Sequence, residues 1–111
     1  MNLHAKTLAD TLLVEVEEDR IDAACAIQFK DRMRELVAKA EGRVLIDMAR
    51  VRFLDSSGLG AVVAVMKLLG PERRLELAGL TPAVDKVFRL TRMDSVFRIH
   101  PDLPAALREA G

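Results

Sequence analysis

The 111-residue chain has no tryptophan, no tyrosine and only four phenylalanines. A base-stacking platform for nucleic acid needs exposed aromatic rings, so that class of function has little to build on. An excess of one charge is missing too: Lys plus Arg and Asp plus Glu each number 17, and the formal net charge is zero. A surface that gathers phosphates needs a positive field, which argues against direct nucleic-acid binding. The one cysteine, Cys25, excludes an internal disulfide and a Cys-rich zinc site. It lies in "DAACAIQF" and reads as a small buried thiol. No apolar run reaches the roughly 18 residues of a membrane helix. The longest candidate, "AVVAVM", is followed by Lys67, Gly70 and Pro71. The opening "MNLHAKTLADTLLVEVEEDR" is too acidic and too interrupted for a signal peptide. A cytoplasmic protein without membrane contact is expected.

What is present is the balance of a globular domain, with 50% hydrophobic and 31% charged residues. The length favours one domain over residues 1–111 with its own core. "TLLVEVEE" alternates, with Leu12, Val14 and Val16 on one face of a half-buried strand. Asp22 is placed to cap a helix running to about Glu41, with Ala26, Phe29, Met33, Leu36, Val37 and Ala40 at helical spacing. Lys30, Asp31, Arg34, Glu35 and Lys39 then form its solvated face. Gly42 ends this helix, and "RVLIDM" is apolar on both faces, as in a strand covered on both sides. A second helix runs to about Leu69 and stops at "GP". "RRLELAG" is an alternating strand, and "TPAVDKVFRL" a helix with Pro82 in its first turn. "SVFRIH" is a short last strand, "DLPAALREA" a last helix, and "LHAKTLA" a possible edge strand. Strand and helix alternating in this way predict an α/β fold with a mixed, mostly parallel sheet and about four helices. Right-handed crossovers bring Asp22, Ser56–Ser57 and Leu80–Thr81 to one rim of the sheet, where open α/β sheets carry their sites.

On that rim stands "RFLDSSGLGAVV", Arg52 to Val63. A serine hydrolase needs a histidine, and His4 and His100 both lie near the chain ends. A nucleophile elbow needs Gly two residues before the serine, where Leu54 or Asp55 stands. Gly58-Leu59-Gly60 starts like a dinucleotide fingerprint, but its third glycine position holds Val63. Glu41, Asp47 and Asp55 make no metal set without histidines nearby, so no metal and no cofactor is expected. Catalysis by this chain is not expected.

Helix capping by Asp55 or Ser56 explains one polar residue of the motif. It leaves two glycines unexplained in the first turns, where each weakens a helix by up to about 1 kcal/mol. Glycine at positions 58 and 60 keeps bulk away from Ser57, so another protein can approach its hydroxyl. The helix itself has a core stripe of Leu59, Val62, Val63, Met66 and Leu69. Its other stripe, Ala61, Ala64, Val65 and Leu68, carries no charge except Lys67 at its edge. Such a strip reads as a docking surface, or else as a helix buried all round. A phosphate on Ser57 would be tolerated by the helix N-terminus and would oppose docking on that strip.

"VLIDMARVRFLDSSGLGAVVAVMK", preceded by "RIDAACAIQFKDRM" and followed by "LELAGLTPAVDKVFRLTRMDSVFRI", closely resembles bacterial STAS domains of the anti-sigma factor antagonist type. The resemblance covers about Leu12 to Leu107. It implies the STAS fold and a regulatory binding protein. It also implies that Ser57 is the acceptor of a serine kinase that doubles as an anti-sigma factor, of the histidine-kinase-like ATPase fold. A phosphatase of the PP2C type would reverse the modification, and the unmodified form would bind the kinase and displace its client. Asp22, in "RIDAA", matches an acid near that serine. The family often has Gly ahead of this acid, where this chain has Asp19-Arg20-Ile21-Asp22, and Gly after "LT", where it has Arg92. A constitutively binding scaffold or a transporter-associated STAS subunit is the rival reading.

Overall fold

The computed structural model describes residues 1–109. A hairpin opens the chain: β1 (Leu3–Leu8) pairs antiparallel with β2 (Thr11–Val16). β4 (Arg43–Asp47) lies parallel to β2, β6 (Leu75–Ala78) parallel to β4, and β7 (Arg98–His100) parallel to β6. The order β1-β2-β4-β6-β7 therefore follows the chain. Two further strands, β3 (Arg20–Ile21) and β5 (Phe53–Leu54), form a small parallel sheet of their own. The helices are α1 (Ala26–Ala38), α2 (Ser56–Leu69), α3 (Pro82–Leu90) and α4 (Leu103–Arg108). Among the described residues, the α/β fold with a mixed, mostly parallel sheet and four α-helices is as the alternation of elements implies.

Side-chain alternation along the strands divides the core into two layers. On one face Leu12, Val14, Val16, Val44, Ile46 and Leu77 pack with Phe29 and Met33 of α1, Val62 and Val65 of α2, and Phe88 of α3. On the other, Leu13, Leu45 and Ala78 meet Ala106 and Leu103 of α4. Three helices thus cover one face, and a single six-residue helix covers the other. No helix among the described residues is long and apolar enough to cross a membrane. The last residue of "DLPAALREA", Ala110, lies outside the described residues.

Three local expectations change. α1 begins at Ala26, because Asp22 is used one turn earlier. Its Oδ1 accepts from the amide of Ala24 at 3.0 Å, and its carbonyl accepts from the amides of Cys25 and Ala26. At the other end α1 stops at Ala38 rather than Glu41. The amides of Lys39 and Ala40 reach back only three residues, to the Leu36 and Val37 carbonyls, which tightens the last turn.

Glu76 is the third change, since an alternating strand should have turned it to water. It is 1% exposed. Arg43 Nη2 donates to its Oε1 at 2.8 Å, and His100 Nε2 donates to the same oxygen at 2.7 Å. Arg43 also donates to the carbonyls of Ala106 and Glu109, and His100 Nδ1 lies 3.3 Å from the Glu109 carboxylate. Burial acts to raise the Glu76 carboxyl, but the hydrogen bonds from Arg43 and His100 outweigh it and hold the group below the usual carboxylate range. The network joins β4, β6, β7 and α4.

Candidate functional site

The site begins with Asp55, the last residue before α2. Its extended backbone, φ −97° and ψ −173°, turns the carboxylate back onto the helix start. Oδ1 accepts from the amide of Gly58 at 2.9 Å and caps α2. Oδ2 accepts from the amide of Ala23 at 3.2 Å, in the turn that precedes α1. One carboxylate therefore joins the two loops. Between the two alternatives for the cap, Asp55 is the residue used, and exposed Ser56 is not. Asp55→Ala should cost about 1–2 kcal/mol of stability, while Ser56→Ala should be close to neutral. Denaturant unfolding of the two variants checks this; equal losses would return the cap to both residues.

Gly58 makes the second connection between the loops. A β-carbon there would stand 2.1 Å from the carbonyl oxygen of Ile21, in β3. Only glycine lets the first turn of α2 lie this close to the β3 backbone. Gly60 is different, with nothing within 4 Å of the place its β-carbon would take. Gly58, expected to clear space around Ser57, serves instead the packing of the loops, and Gly60 borders the same open surface as Ser57.

Ser57 is exposed, and it opens onto a shallow depression of about 300 Å³ between α1 and α2. Ala26, Ile27 and Lys30 line one side, and Gly60, Ala61 and Ala64 the other. Ile27 is 70% exposed, a large apolar side chain beside the serine. Sequence reasoning missed it, although its place off the stripe of Ala26, Phe29 and Met33 was a usable signal. Lys30 was assigned to the solvated face of its helix, and it too borders the depression.

The strip expected on the outer face of α2 divides. Val65 is fully buried and Ala61 nearly so, whereas Ala64 is half-buried and Leu68 is 44% exposed. The expected core stripe changes in return: Val62 and Leu69 are buried, but Leu59, Val63 and Met66 are only partly so. The cause is α1, which packs along α2 and covers the side that Ala61 and Val65 present. What remains open is narrower and is shared between two helices.

Asp22 lies in the turn joined to α2 through Ala23 and Ile21. Its carboxylate accepts from Ala24 N, from the Cys25 thiol at 3.5 Å and from Arg20 Nη1 at 3.3 Å. Desolvation acts to raise this carboxyl, and those hydrogen bonds with the Arg20 charge overcome it, leaving Asp22 below the usual range. Burial pushes the half-buried Cys25 thiol up, and the Asp22 carboxylate adds to the shift. The thiol therefore stays protonated at neutral pH. Arg20 also lies over the Phe53 ring, 5.3 Å from its centroid. The third loop of the rim is tied in by Thr81, whose hydroxyl donates to the Val51 carbonyl at 2.7 Å.

Known proteins share this fold. The STAS domain family model matches residues 2–106. BtrV of Bordetella bronchiseptica, named as a candidate anti-sigma factor antagonist, is 31% identical over 98 residues, covering 87% of this chain and 84% of that protein. The anti-sigma-B factor antagonist of Listeria monocytogenes is 35% identical over 81 residues, 71% of this chain and 70% of the relative. The crystal structure of an anti-sigma factor antagonist from Mycobacterium paratuberculosis superposes with a TM-score of 0.86 at 27% identity, covering 96% of this chain and 90% of that one. With a family match over nearly its whole length, the chain belongs to the STAS domain family, among the anti-sigma factor antagonists.

Proposed function

We propose that this protein is a phosphorylation-controlled binding switch of the cytoplasm. Unmodified, it binds an anti-sigma factor that is also a serine kinase of the histidine-kinase-like ATPase fold, and so frees that factor's client. Phosphate on Ser57 ends the binding, and a PP2C-type phosphatase restores it. The chain does no catalysis, carries no cofactor or metal, and contacts neither nucleic acid nor membrane in this role. The observation that carries the reading is an exposed serine in the first turn of α2, opening onto a depression with Ile27 and Ala64 on its rims. Relatives named for antagonism of anti-sigma factors support the class of partner.

The physics of the switch is local. A negative charge in the first turn of a helix is neutral or favourable for folding, by a few tenths to about 1 kcal/mol. The same charge beside a docked apolar surface must shed its water without an assured counter-charge. Ser57→Asp should therefore keep the parent's thermal midpoint and lose at least about a hundredfold in affinity for the kinase, or about 2.7 kcal/mol. Ser57→Ala should still bind and should not be phosphorylated. Titration calorimetry on the three proteins, with mass spectrometry of the kinase product, checks both. If Ser57→Asp and the phosphorylated parent bind like the unmodified chain, a constitutive scaffold or transporter-associated subunit replaces the switch.

A further inference from the structure

We infer that Lys30 is the positioning residue for a phosphate on Ser57, and holds it over the depression between α1 and α2. The inference rests on the reading of Ser57 as the modified residue. Lys30 and Ser57 border the same space of about 300 Å³, from different helices. That volume is several times the roughly 30 Å³ that a water molecule takes in the liquid, so four added heavy atoms fit without displacing a side chain.

The charges around the depression favour this lysine. On α1, Asp31 is paired with Arg34 at 3.4 Å and Glu35 with Arg32 at 3.6 Å. Asp22 is paired with Arg20, and the Asp55 carboxylate is spent on the amides of Gly58 and Ala23. Lys30 has no ion-pair partner among the described residues, and the half-buried residue lines the groove. A dianion on Ser57 meets an uncommitted ammonium on one side and the amides of Ser56 and Ser57, at the start of α2, on the other. Held there, the phosphate covers the floor formed by Ala26 and Ala61. The modification then fills the groove as well as charging its rim.

Phosphoserine can be placed at position 57 during translation, with no kinase involved, and its second ionisation followed by phosphorus NMR. In Lys30→Gln that ionisation should lie about half a pH unit higher than in the parent, because the favourable charge is gone. Lys30→Arg should restore the parent value, and salt near 1 M should shrink the difference. The helix amides are common to all three proteins, so the comparison isolates the side chain. An unchanged ionisation in folded Lys30→Gln overturns the inference, as does a phosphorylated parent that fails to fold. Neither result depends on whether a kinase uses Ser57. A failure of the switch itself appears instead as phosphorylation at another residue in the kinase reaction.

Discussion

Replacing Gly58 by alanine should lower the thermal midpoint by roughly 10–20 °C, a loss of about 3 kcal/mol. The new methyl would meet the Ile21 carbonyl oxygen at 2.1 Å and its carbon at 2.9 Å. Both are backbone atoms of β3, and β3 is held by its pairing with β5. Neither can step aside as a flexible side chain would. Relief requires the start of α2 to withdraw, which pulls Asp55 away from the Ala23 amide. Gly60→Ala, two residues on, should instead be neutral or stabilise by up to about 1 kcal/mol, since alanine is the better helix former and nothing opposes it. Thermal and denaturant unfolding of the pair gives the comparison. Equal effects would show that close packing is not what requires glycine at position 58.

Glu76→Ala should cost about 3–5 kcal/mol, because it leaves Arg43 and His100 buried without their shared acceptor. Glu76→Gln should cost less, since its amide oxygen can still accept from Arg43. The two variants also separate the charge from the packing. In the parent, the folded Glu76 carboxyl lies below its ordinary value of 4.5. Its contribution is therefore complete above about pH 4.5 and is lost as the pH falls through the lower, folded value. Stability of the parent should drop on acidification through this window more steeply than that of Glu76→Gln. Unfolding free energies measured from pH 7 to pH 3 decide it, and parallel curves would remove Glu76 from the acid response.

Most of the sheet was legible because burial leaves a period in the sequence. Leu12, Val14 and Val16 alternate as expected, although β2 is not half-buried, since Leu13 is covered on the other face by α4. Val44, Leu45 and Ile46 run together where both faces are covered. The two-residue strands β3 and β5 leave no such period, and neither was foreseen. The start of α2 at the serine motif was legible through its residue types, with Asp55 as the cap and Ser57 exposed in the first turn. The division of α2 was not. Ala61 and Val65 look the same in sequence whether they face water or a neighbouring helix, and only the placement of α1 settles which. The burial of Glu76 was not legible for a related reason: its partners Arg43 and His100 stand 33 and 24 residues away, beyond any local pattern.

The strand order β1-β2-β4-β6-β7 gives the growing chain an uncomplicated assembly route. Each strand of the large sheet joins at the edge left by the one before, so no later segment has to be inserted between strands already paired. Assembly can then keep pace with synthesis from the N-terminus. The polar cluster behind the sheet finishes last in such a sequence. Arg43 arrives with the third strand of that sheet, Glu76 with the fourth, and His100 and the Ala106 carbonyl only at the end. Until then a cation and an anion wait where water can still reach them, and the final helix is what shuts them in. A nascent chain stalled before residue 98 should therefore hold its hairpin and first helices while the back of its sheet stays wet.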